Sequence, residues 1–135
     1  QEATGGFTEF VPLPFVHMAS PVYMKGMARR GPTWRETVLM HAIGRLALHG
    51  AIGNIQTSWV KLGLDGAMAC LNAGANDVGG TLMNESISRA AGAAHGQEMD
   101  PQTIESAMLA AGRPPRQRST LYAAPARDLQ AQPLD

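Results

Sequence analysis

Cysteine is nearly absent from this chain, with Cys70 alone among 135 residues. One thiol closes no internal disulfide, which fits a reducing compartment such as the cytoplasm. Aromatic residues make up only 5% and charged residues only 16%, against 44% hydrophobic, which is ordinary globular composition rather than disorder. Eleven basic and eleven acidic side chains cancel to a net charge of zero. A neutral chain lacks the electrostatic footprint of a nucleic-acid binder. No run approaches the roughly 18 apolar residues of a membrane span, and no signal-peptide pattern opens the chain. The first residue is Gln rather than Met, and the expectation is a truncated chain. At this length one domain with a real core is the upper bound.

What is present follows an alternating order. Residues 7–11 are β-rich and meet Pro12 and Pro14, so the strand is expected to end near Val11. A long loop over residues 12–32 mixes Met, Pro and Gly with Lys25, Arg29 and Arg30. Thr33 and Glu36 have capping-box spacing, and Val38, Leu39, Ala42, Ile43, Leu46 and Ala47 follow helical periodicity up to Gly50. This predicts a helix over about residues 34–49. A strand is expected over 54–60, and a helix from after Asp65 to Gly74. A third strand over 75–78 then opens into Gly79-Gly80. Asn84 is expected to cap a short helix to about Ala91, and Asp100-Pro101 to open another to Ala111. Residues 1–122 form the expected domain, and 123–135 read as a disordered tail. The order β-α-β-α-β-α-α argues for an α/β fold with parallel strands and helical crossovers. A complete eight-unit barrel takes about 250 residues, so about three βα units and a helical extension are expected here.

Three motifs sit at the strands: Glu9-Phe10-Val11-Pro12-Leu13-Pro14-Phe15-Val16-His17, Ile55-Gln56-Thr57-Ser58-Trp59-Val60-Lys61-Leu62-Gly63 and Gly74-Ala75-Asn76-Asp77-Val78-Gly79-Gly80-Thr81-Leu82-Met83. Together with residues 91–96 and 112–122 they resemble the FO synthase family of radical S-adenosylmethionine proteins, over about residues 6–122. The closer resemblance is to the tyrosine-using half of those enzymes. Menaquinone-pathway radical enzymes acting on futalosine-type substrates are similar in the same strands. The resemblance implies the C-terminal part of a radical SAM barrel of TIM type. It implies a 4Fe-4S cluster and S-adenosyl-L-methionine as cofactors of the intact parent. It also implies L-tyrosine and 5-amino-6-(D-ribitylamino)uracil as substrates, joined through a 4-hydroxybenzyl group in deazaflavin coenzyme biosynthesis. Family members ligate the cluster through a Cys-x-x-x-Cys-x-x-Cys loop, which this chain lacks. No activity of the chain alone is therefore expected. An independent α/β module for a small polar molecule is the competing reading.

Barrel enzymes place working groups at strand C-terminal ends and in the loops that follow. That rule selects His17, Gln56, Ser58, Lys61, Asp77, Gly79, Gly80 and Thr81 as candidate substrate-binding residues. Gln56 and Ser58 share one strand face, and either contact substrate or bond neighbouring backbone. Lys61 is a surface charge or a partner for an anionic group. Asp77 before Gly79-Gly80 is a ligand contact where backbone comes close, or a plain Asx turn. His17 is a candidate for acid–base or hydrogen-bonding work. Arg113, Arg116 and Arg118 with Tyr122 either hold a substrate carboxylate or pair with the domain's own acids. Cys70 reads as a small packed apolar residue.

Overall fold

The computed structural model describes residues 1–82, 86–96 and 98–125. The chain before Thr33 is mostly irregular, with one short helix, α1 (Pro21–Met24), started by a proline in its first turn. At α2 (Trp34–Ala47) the capping box forms as the spacing requires. Glu36 N–H donates to Thr33 Oγ1 at 3.2 Å, and Thr33 N–H donates to Glu36 Oε2 at 2.6 Å. The strands are shorter than expected. Phe10 is joined to Ile55 by a single parallel bridge, its N–H donating to the Asn54 carbonyl and its carbonyl accepting from Gln56. Strand β1 (Gln56–Thr57) pairs in parallel with β2 (Asp77–Val78), Gln56 opposite Asp77 and Thr57 opposite Val78. The result is a small α/β unit with a short parallel sheet.

The strand expected over 54–60 ends at Thr57, because the Ser58 carbonyl already accepts from the amides of Lys61 and Leu62. Helix α3 (Trp59–Asn72) therefore starts well before Asp65, and Ser58 and Lys61 belong to its N-terminus rather than to the strand. Gly63, at φ 71°, breaks the helix in two. A Cβ there would lie 3.1 Å from the His95 ring, so glycine answers both the left-handed backbone and the close approach. The segment after this break is the helix that the periodicity announces. Helix α4 (Ile87–Ala90) follows, and the expected Asn84 cap lies outside the described residues. Helix α5 (Pro101–Ala110) opens as expected, with Asp100 Oδ1 accepting from the Thr103 amide at 2.9 Å.

Two-residue alternation sorts the sheet into two faces. Phe10, Ile55 and Val78 lie on one face and pack with Leu71, Ala75, Met68 and Met108 from α3, α5 and the turn before β2. Glu9, Gln56 and Asp77 fall on the other face, clear of this core.

Candidate functional site

On that second face five side chains form one network. The Gln56 amide donates to Glu9 Oε2 at 3.1 Å and to Asp77 Oδ2 at 2.9 Å. Arg118 engages both oxygens of Asp77, Nε to Oδ1 and Nη2 to Oδ2, each at 2.5 Å. The same guanidinium lies 3.9 Å from Glu9 Oε2 and 4.0 Å from the centre of the Tyr122 ring. Tyr122 Oη donates to Glu9 Oε2 at 2.5 Å. This fork-to-carboxylate geometry suits Arg and not Lys. Hydrogen bonding to Asp77 raises the pKa of Arg118, with its burial opposing. Burial and the Glu9 bond push the Tyr122 phenol far above its ordinary range, so it remains a donor. Tyr122 has φ 62° without being glycine, a conformation that costs of order 1–3 kcal/mol unless its surroundings hold it. Its bonds to Glu9 and Asp77 and the stacked Arg118 supply that hold.

The arginine and tyrosine arrive on the segment after α5. Arg113 anchors it to the Leu71 carbonyl and Asn72 at 3.3 Å, and the Ser119 and Ala123 backbones close a turn around Tyr122. A cleft of about 340 Å³ opens among Asn54, Asn76, Asp77, Arg116, Arg118 and Tyr122. Asn54 and Asn76 precede β1 and β2, so this segment covers the N-terminal end of the sheet. Of the basic patch, Arg118 pairs with the domain's own acids.

The C-terminal end carries the other candidates. Ser58 is buried at the start of α3, and Trp59 behind it donates its indole N–H to the Gly80 carbonyl at 3.0 Å. A Cβ on Gly79 would lie 3.5 Å from Gln56 Oε1, and one on Gly80 would meet nothing within 4 Å. Thr81 is exposed. Lys61 does not reach this group: its Nζ donates to Ser88 Oγ and ties α3 to α4. His17 stands in the long loop, its Nδ1 accepting from the Gly31 amide at 3.1 Å and its ring edge-on to Tyr23 at 4.8 Å. The structure thus joins Gln56, Asp77 and Gly79, and leaves His17 and Lys61 in separate contacts. Glu9 was missed as a site residue by strand-end reasoning, because it lies one residue before the Phe10 bridge.

The residues present do not fit an iron–sulfur cluster. Cys70 is fully buried in α3, and burial pushes its thiol pKa up, with the Thr57 hydroxyl opposing. A cluster of this kind takes about three or four thiolates. Among the described residues no group of His, Cys, Asp and Glu has a metal-binding arrangement. No helix among them is long and apolar enough to cross a membrane.

The family model described as the CofH/MqnC C-terminal region matches residues 4–131. The FO synthase of Mycobacterium leprae is 55% identical over 123 residues, which is 91% of this chain and 14% of that protein. That of Mycobacterium tuberculosis is 54% identical over the same shares. The 5-amino-6-(D-ribitylamino)uracil–L-tyrosine 4-hydroxyphenyl transferase of Methanopyrus kandleri is 55% identical over 122 residues, 90% of this chain and 33% of that protein. The chain thus spans between a seventh and a third of the length of these relatives. No solved structure matches it. With the family model covering nearly all of it, the chain belongs to the CofH/MqnC C-terminal region family.

Proposed function

We propose that this chain supplies part of the substrate-side wall of a radical SAM enzyme of deazaflavin coenzyme biosynthesis. That enzyme joins a tyrosine-derived 4-hydroxybenzyl group to 5-amino-6-(D-ribitylamino)uracil. The observation that carries this reading is the double match. One segment of about 120 residues resembles both long FO synthases and a much shorter transferase named for tyrosine and the aminouracil. What those relatives share with this chain is therefore a segment of the transferase part. The identity to that transferase also favours this reading over the futalosine-type enzymes.

In this reading residues 1–122 are the last βα units of a TIM-type barrel with its extension, and the sheet face bearing Glu9, Gln56 and Asp77 is the barrel interior. The cluster and S-adenosyl-L-methionine are held by residues outside this chain. Gln56, Ser58, Asp77, Gly79, Gly80 and Thr81 line the substrate side. His17 and Lys61 act at its margin, from the long loop and from the α3–α4 contact. The enzyme works in the cytoplasm, where thiols are kept reduced.

A chimera tests the proposal. The matched segment of the Methanopyrus kandleri transferase is replaced by this chain and assayed anaerobically with L-tyrosine, the aminouracil and S-adenosyl-L-methionine. Formation of the coupled product is the expected result. A folded, cluster-loaded chimera that forms no product would refute it.

A further inference from the structure

The orientation of one amide determines what the interior face can recognise. A Gln side chain has a donating end and an accepting end. At Gln56 two carboxylates decide between them, since Glu9 and Asp77 both lie within hydrogen-bond distance of Nε2. The flipped amide would set its carbonyl oxygen against two anionic oxygens and is excluded by repulsion. Asp77 is itself immobilised by the two-toothed Arg118 contact, and Glu9 by Tyr122. The accepting end is thereby sent the other way, toward Gly79. Among the described residues the Gln56 side chain bonds through Nε2 and not through Oε1, while a Cβ on Gly80, next to Gly79 in sequence, would meet nothing within 4 Å.

Within the network one guanidinium faces two carboxylates, and Arg116 lines the cleft beside Asn54 and Asn76. The accepting end of the amide suits a phenol, hydroxyl, amine or ring N–H.

We infer that Gln56 is a specificity-determining acceptor that takes an O–H or N–H donor of one substrate through Oε1. Asp77, Glu9, Arg118 and Tyr122 are positioning residues that hold its amide in that sense. Asp77 then acts through Gln56, its own oxygens being occupied. This inference rests on the transferase reading above and names the polarity of the subsite within it.

Gly79 provides the test, because its backbone has no left-handed φ and an added Cβ would make only ordinary contacts, the nearest to Gln56 Oε1 at 3.5 Å. Gly79→Ala therefore keeps the fold and covers the acceptor. Asp77→Asn is the second variant, releasing the amide from below. In the chimera, equilibrium dissociation constants for L-tyrosine and for the aminouracil are measured separately, without turnover, beside the thermal midpoint. Both variants are expected to weaken one substrate by about tenfold, the value of one lost hydrogen bond. The other substrate should stay within about twofold. Equal weakening of both substrates, or unchanged constants in Gly79→Ala, would overturn the inference while the transferase reading stands. An unsubstituted chimera that binds neither substrate and makes no product would refute that reading and this inference with it.

Discussion

Arg118 is the residue on which the sheet face bearing Glu9, Gln56 and Asp77 depends. Its side chain is 25% exposed and that of Asp77 only 10%, so the pair is largely out of water. Removing one partner of such a pair leaves a poorly solvated charge, which is worse than removing both. In the chimera Arg118→Gln should cost about 1–3 kcal/mol by denaturant unfolding, and Asp77→Asn added to it should cost less than the sum. Strict additivity of the two would show that the pair is not coupled. A second residue-scale expectation concerns Gly31, where an added Cβ would stand 2.0 Å from the Phe15 carbonyl oxygen. Backbone cannot yield as a flexible side chain does, so Gly31→Ala should pull the loop off His17. Trypsin should then cut faster at Lys25, Arg29 and Arg30, and an unchanged cleavage rate would contradict the role given to Gly31.

At the scale of elements, the two long caps are local devices. The Thr33 and Glu36 pair and the Asp100 and Thr103 pair each satisfy amides that the first helical turn leaves open. Hydrogen bonds from Thr33 lower the pKa of Glu36, and those from Thr103 lower that of Asp100. Both folded-state values lie below the ordinary ones of 4.5 and 3.8. The stabilisation is therefore complete above the ordinary values and lost as pH falls through the lowered ones. A synthetic peptide of residues 31–50 should accordingly lose helicity by circular dichroism below about pH 4.5, and Thr33→Ala should abolish most of that dependence. A pH-independent spectrum in the parent peptide would dismiss the capping argument. Such caps were readable because every partner is within three residues. The start of helix α3 was not readable in this way: its break falls at Gly63, against which His95 lies, thirty-two positions later in sequence.

The whole molecule has unfinished surfaces. Among the described residues no further strand pairs with the Phe10 segment or with the outer margin of β2. Helix α2 exposes Leu39, Met40, Ile43 and Leu46, a stripe at helical spacing. Open edges and apolar stripes template association, so the isolated chain should self-associate at micromolar concentration in size-exclusion chromatography with light scattering. A sharply melting monomer would contradict this and favour an independent module. Reconstituted anaerobically with iron and sulfide, the isolated chain should also form no deoxyadenosine from S-adenosyl-L-methionine, since its one thiol is fully buried. Turnover above background would refute that.

Local chemistry determined much of this protein from sequence alone. The capping box of α2, the Asp100 cap of α5 and the alternation of strands with helices all depend on neighbours a few residues apart. So did the family resemblance, which resides in contiguous motifs. Long-range pairing decided the rest. Strand-end position marked Gln56 and Asp77, yet it could not tell that Arg118 and Tyr122, some forty residues beyond Asp77, would occupy the Asp77 carboxylate. Nor could Glu9 stand out before its register against Gln56 was known. Which end of the Gln56 amide faces outward is a property of neither residue nor motif. It follows from two carboxylates brought together by the sheet, and only folding brings them there.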